Sequence, residues 1–73
     1  MKITFSRHAK RQMKWRKITE KEVKSVIADP DILVDTIKGR KNAYGIVGKR
    51  QIKITYKLES EAATIITAVV KGE

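Results

Sequence analysis

Residues 5–18 read FSRHAKRQMKWRKI, and the rest of the chain is organised around this stretch. It holds six Lys or Arg residues, no acid, and the only His and the only Trp of the sequence. At about 100° per residue, one side of a helix here collects the apolar residues and a few polar ones: His8, Ala9, Gln12, Met13, Trp15 and Arg16. The other side carries only cations, which we call the basic stripe: Arg7, Lys10, Arg11, Lys14 and Lys17. Ser6 is a favoured N-cap, so we predict a helix over 7–17 with a cationic face opposite its packing face.

The composition restricts the classes of protein to which the chain can belong. Its 73 residues suit a single domain, 1–73, with a small core. The sequence has no Cys, and its one His and scattered acids do not form a metal-ligand pattern, so we expect no metal and no cofactor. No apolar run approaches the roughly 18 residues of a membrane span. We therefore expect a soluble, cytoplasmic protein with no membrane partner.

The positive charge is concentrated in the first part of the chain. Residues 1–28 hold nine Lys or Arg against two Glu, a net charge of +7, whereas residues 29–73 hold eight against six acids, a net charge of +2. A focused cationic patch attracts polyanions, and this predicts RNA or another nucleic acid as the partner. The alternative is a Lys-rich surface of the thermophile type, which would usually carry more Glu.

The residues on either side of the first helix predict a short strand and a second helix. Lys2 to Phe5 are β-prone and suit an edge strand. Thr19 and Glu22 form a capping box, and Ile18 with Val23 forms a hydrophobic staple, so the second helix begins at Glu20. Pro30 ends it, because the residue before a proline avoids the helical region.

From residue 31 onward the period is that of strands. We predict strands over 32–37, 43–47 and 50–58, with turns at 38–41 and at Gly48-Lys49, the latter of type II′. Residues 62–70 are apolar or Thr throughout, which suits an inner strand buried on both faces. These elements predict an α+β fold, with two N-terminal helices packed on one face of an antiparallel sheet of three to four strands. The other face would then display Lys53, Thr55 and Lys57.

Several motifs resemble those of a family of small bacterial and archaeal domains of unknown function. They are the opening Phe5-Ser6-Arg7-His8-Ala9, Met13, the corner Arg16-Lys17-Ile18-Thr19, Asp29-Pro30-Asp31, the glycine hairpin and the closing Ile65-Ile66-Thr67. That family is in turn similar to the RelE/ParE toxin superfamily and its BrnT relatives. The resemblance implies a RelE-like fold and a metal-independent endoribonuclease of a toxin–antitoxin pair, with an antitoxin as partner.

The chain departs from this family pattern in two places. Gln12 stands where the family usually has the Arg of an Arg-Met pair, and Arg11 comes one position earlier. RelE-type enzymes also use basic and tyrosine residues late in the chain, whereas residues 69–73 read VVKGE. A RelE-like mechanism is therefore not carried over to that end.

His8 is the one ordinary candidate for a catalytic base, since metal-free RNA cleavage needs a base near the 2′-hydroxyl. A structural role, in which His8 binds a backbone group and fixes the helix to the sheet, is the favoured alternative. Trp15 suits either packing, the favoured interpretation, or stacking on a base. Tyr56 is expected in the core. The candidate phosphate contacts are the basic stripe and a second group near the hairpin and the free sheet face: Lys49, Arg50, Lys53 and Lys57.

Three functions fit these observations. The first is a toxin-like ribonuclease, the second a nucleic-acid-binding module without catalysis, and the third an interaction domain for an acidic protein. We predict a RelE-like fold with nucleic acid as the partner.

Overall fold

The computed structural model describes residues 2–71. Seven elements follow one another along the chain: β1 (Lys2–Phe5), α1 (Arg7–Arg16), α2 (Glu20–Ala28), β2 (Ile32–Asp35), β3 (Arg40–Val47), β4 (Arg50–Glu59) and β5 (Ala62–Val70). The class is α+β, as predicted. No helix among the described residues is both long enough and apolar enough to cross a membrane.

The sheet is larger than the sequence predicted, and it is not purely antiparallel. It has five strands in the order β1-β5-β4-β3-β2. β1 pairs in parallel with β5, with Lys2 opposite Ala62, whereas the other three pairings are antiparallel. The prediction of three to four antiparallel strands is therefore wrong, because the first strand joins the sheet through residues some 60 positions away in the chain.

One face of the sheet and both helices enclose the core. Its side chains come from the inward positions of α1, α2, β3, β4 and β5, among them Ala9, Met13, Val23, Val26, Ala43, Ile52, Ile54, Tyr56, Ala63, Ile65 and Ala68. Ile52, Ile54 and Ile65 are fully buried. Burial of each such side chain contributes roughly 1.5–3 kcal/mol. Tyr56 lies in the core, as predicted.

The opposite surface of the sheet, which we call the open face, carries the alternate residues. Lys53, Thr55 and Lys57 alternate with the buried residues of β4, and all three retain contact with solvent. β2 forms the far edge of the sheet, and its four residues are exposed.

The prediction that β5 is buried on both faces is wrong, although β5 does lie inside the sheet. Thr64 is exposed, while Ala63, Ile65 and Ala68 are fully buried. The register between β4 and β5 shifts, so that Thr55 pairs with Thr67 and Tyr56 with Ile65. This bulge leaves one extra residue in β5 and reverses the alternation beyond it.

Candidate nucleic-acid interface

The N-terminus of α1 is attached to the bulged part of β5 through Ser6. The Ser6 backbone N–H donates to the Ile65 carbonyl at 2.9 Å, and the Ser6 hydroxyl donates to the Ile66 carbonyl at 3.2 Å. The same hydroxyl oxygen accepts a hydrogen bond from the Ala9 N–H at 3.0 Å, which is the N-cap that the sequence predicted. Ser6 therefore fixes both the start of α1 and its position on the sheet.

Gln12 fixes the rotation of α1 about its axis. Its Oε1 accepts a hydrogen bond from the Ala68 N–H at 3.0 Å, just beyond the bulge. Ala68 is fully buried, so this backbone donor has a protein partner where water has little access. With Gln12 held against β5, Ala9 and Met13 point into the core and the opposite side of α1 points to solvent.

The C-terminus of α1 is held by Arg50, which begins β4. Its guanidinium donates to the Arg16 carbonyl at 2.7 Å and to the Lys17 carbonyl at 3.1 Å. It also binds the Glu22 carboxylate at 3.2 Å. Arg side chains often satisfy the last carbonyls of a helix in this way. The sequence predicts Arg50 as a phosphate contact, whereas its donors are directed at the corner between the two helices.

Glu22 completes this corner from the side of α2. Its carboxylate accepts the Thr19 N–H at 2.8 Å, and Thr19 Oγ1 accepts the Glu22 N–H at 3.1 Å, which is the predicted capping box. The hydrogen bond from the Thr19 backbone holds the pKa of Glu22 below its usual value, and the hydrogen bond and positive charge of Arg50 act in the same direction. Arg50 and Glu22 thus join the hairpin, α1 and α2 into one rigid unit.

The whole basic stripe lies on the solvent side of α1. Its five side chains, Arg7, Lys10, Arg11, Lys14 and Lys17, are all exposed. The ion pairs formed between residues 2–71 join Lys41 to Asp35, Arg50 to Glu22 and Lys57 to Glu59, so none of them neutralises the stripe.

Trp15 and His8 belong to this exposed face, which corrects two interpretations of the sequence. Trp15 is 81% exposed and is not a packing residue. His8 is exposed as well, so it does not fix the helix to the sheet; Ser6 and Gln12 do so. The helical projection of the sequence already indicates that Trp15 is exposed. Trp15 lies about 160° from Met13 and only about 40° from Arg11, so it is nearer to the stripe than to the core.

Trp15 forms one wall of a shallow concavity whose other described walls are Arg11 and Lys14. The Arg16 guanidinium carbon lies 5.7 Å from the centre of the indole ring, within cation–π range. The concavity thus combines an aromatic surface with cationic groups. These are the two kinds of group that contact the bases and the phosphates of a nucleic acid.

The second group of predicted phosphate contacts is divided by the fold. Lys49 is exposed in the turn next to Arg50, whose guanidinium reaches the C-terminus of α1. Lys53 and Lys57 lie on the open face, on the side of the sheet away from α1, and Lys57 pairs with Glu59 at 3.2 Å. The structure therefore places Lys53 and Lys57 on the other side of the sheet from the basic stripe.

Within residues 2–71, no three His, Cys, Asp or Glu side chains are grouped in a way that would hold a metal ion.

A domain family described as "Domain of unknown function (DUF4258)" matches residues 5–70. No curated protein and no solved structure shows significant similarity to the chain.

Proposed function

The chain belongs to the DUF4258 family, domains of unknown function, and we propose that it is a nucleic-acid-binding module that holds a phosphate backbone on the basic stripe of α1. The observation that carries this proposal is the stripe itself. Four exposed cations lie on one face of α1, the fifth, Lys17, caps its C-terminus, and the sequence of residues 7–17 contains no acid. The helix is anchored at both ends.

The dimensions of the stripe favour a polymeric anion over a small one. From Arg7 to Lys17 the stripe spans about 15 Å, at about 1.5 Å per residue. Like charges at this spacing repel one another, and an anion that spans all of them removes that cost. A nucleic acid carries charges at intervals short enough to meet each cation, and its binding releases condensed counterions.

The test is the salt dependence of binding, measured by fluorescence anisotropy of a labelled duplex between about 50 and 200 mM salt. If about five cations engage, the slope of log affinity against log salt should lie near −4 to −5. The variant Lys10→Ala/Lys14→Ala should flatten the slope by about two units, since each lost phosphate contact removes about 0.9.

The matched control is Lys21→Ala/Lys24→Ala, which removes the same charge from exposed positions of α2. This control should lower the affinity less and leave the slope nearly unchanged. Equal effects of the two double variants would show that only net charge matters, and the stripe would then have no special role. Absence of nucleic-acid binding at low salt would favour the acidic-protein partner instead.

A second candidate function, a metal-independent endoribonuclease of the toxin type with an antitoxin as its partner, is favoured by the position of His8. This side chain is exposed on the same face as Arg11, three residues along the helix. A neutral imidazole there can take the proton of a 2′-hydroxyl, while the neighbouring cations stabilise the charge that develops on the phosphate. This candidate shares the RNA-binding surface with the first.

The two candidates are separated by incubation of an RNA oligonucleotide with the protein in excess EDTA. A binding module leaves the RNA intact. An enzyme of this type breaks the P–O5′ bond and yields a 2′,3′-cyclic phosphate on one fragment and a 5′-hydroxyl on the other, and His8→Ala abolishes the cleavage without weakening the binding. Cleavage that persists in His8→Ala would remove His8 from any catalytic role.

A further inference from the structure

We infer that the α1 surface includes a nucleobase subsite, in which Trp15 stacks on an unpaired base while Arg11 and Lys14 hold the adjoining phosphates. This inference rests on the proposed function and adds a preference for single-stranded nucleic acid to the binding of either form by the stripe. A single exposed aromatic residue would not by itself justify it, because isolated exposed apolar residues are common.

The first supporting observation is that packing does not account for Trp15. Its side chain is 81% exposed on the solvent side of a helix whose packing face is occupied by Ala9 and Met13. The position of the helix is fixed by the hydrogen bonds of Ser6 and Gln12 to β5, so the indole does not turn inward unless those contacts break.

The second observation is the concavity that Trp15 shares with Arg11 and Lys14. Arg11 and Trp15 are four residues apart, so their side chains are neighbours on the helix surface, at roughly 5–6 Å between Cβ atoms. A base on the indole would therefore have its own phosphate within reach of a cation. The Arg16 guanidinium carbon lies 5.7 Å from the ring centre, in cation–π range of the indole.

Whether the bases are paired or unpaired decides which form of nucleic acid binds more tightly to this surface. Inside a duplex both faces of each base are covered by neighbouring base pairs, so only the two terminal pairs offer the indole a ring to stack on. In a single strand the faces of the bases are accessible, and stacking on an aromatic side chain strengthens binding by about 5- to 150-fold for each base. A second copy of this chain is a poor occupant, because two stripes would place ten cations against one another.

Trp15 also supplies the probe for the test, since it is the only Trp in the sequence. The protein is titrated with an unlabelled 10-nucleotide strand without self-complementarity, as RNA and as DNA, and with each strand annealed to its complement. We expect both single strands to quench the indole fluorescence at saturation and both duplexes to leave it nearly unchanged.

Variants then connect the fluorescence to affinity. Trp15→Leu should weaken single-strand binding by about 5- to 150-fold and leave duplex binding within about twofold, whereas Trp15→Phe should retain part of the single-strand affinity. Circular dichroism should show the same fold for all three proteins, because the indole contributes little to the core. Single strands and duplexes that bind equally well to wild type and to Trp15→Leu would overturn the subsite and leave the stripe intact. If neither single strands nor duplexes bind the wild type, the proposed function itself is refuted.

Discussion

Arg50 is the residue whose replacement should most damage the corner that supports α1. The variant Arg50→Met keeps the aliphatic part of the side chain and removes its donors to the Arg16 carbonyl at 2.7 Å, the Lys17 carbonyl at 3.1 Å and the Glu22 carboxylate at 3.2 Å. Hydrogen bonds from charged donors contribute about 1.5–3 kcal/mol each when well shielded. The Arg50 side chain is 34% exposed, so water replaces part of this stabilisation, and the ion pair itself adds at most about 1 kcal/mol.

We therefore expect Arg50→Met to lower the free energy of unfolding by about 2–3 kcal/mol. That is a large fraction of the roughly 4–11 kcal/mol expected for a domain of this size. The measurement is urea denaturation followed by far-UV circular dichroism, since the exposed Trp15 is a poor reporter of unfolding. Lys49→Met is the matched control, because it removes the same charge from the exposed position immediately before Arg50 and should change stability by less than about 0.5 kcal/mol. Equal stabilities of the two variants would refute our account of the corner.

Three further substitutions test other contacts of the site. Gln12→Ala leaves the buried Ala68 N–H without its partner and should cost about 1–3 kcal/mol, with faster hydrogen exchange at Ala68; unchanged exchange would contradict this. Glu22→Gln should be less stable than wild type near neutral pH. The pKa of the folded carboxyl lies below its usual 4.5, so this difference should shrink as the pH falls below about 4.5 and through the folded value, and a constant difference would be unexpected. Lys17 has a φ of 56°, in the left-handed region, so Lys17→Gly should raise stability by roughly 0.5 kcal/mol in denaturation, and a loss would mean that the side chain stabilises the turn.

The sequence predicted those parts of the fold that depend on near neighbours. The caps at Ser6 and Thr19 lie within three residues of the amides that they bind, and both are present in the structure. The pairing of β1 with β5 has no such local signature, because it joins residues 60 positions apart. The bulge in β5 likewise has no signature in the neighbouring sequence, and it explains why β5 was wrongly predicted to be buried on both faces. Before the bulge the buried residues of β5 stand at the odd positions 63 and 65, and after it the buried residue stands at the even position 68. The sequence of β5 therefore lacks the regular alternation that marks a strand with one buried face.

The candidate site was predicted in its charge but not in its full composition. The five cations of the stripe follow from helical spacing alone, and the structure leaves all of them exposed. Helical spacing puts Trp15 at the edge of the side that carries Ala9 and Met13, which favours packing. In the structure the buried part of α1 is narrower, because Ala9 and Met13 are buried while Trp15 is 81% exposed. The hydrogen bonds of the Arg50 guanidinium go to carbonyl groups more than 30 residues earlier in the chain, so the sequence around Arg50 does not reveal them.

The central claim, that the solvent side of α1 is the nucleic-acid-binding surface, is tested most directly by nuclear magnetic resonance. Uniformly ¹⁵N-labelled protein is titrated with the single-stranded 10-nucleotide RNA, and the change in each backbone amide shift and in the indole N–H of Trp15 is recorded. We predict that the largest changes fall within residues 7–17 and on the Trp15 indole, with smaller changes at Lys49. Changes concentrated at Lys53 and Lys57 on the open face, with residues 7–17 unaffected, would contradict the claim.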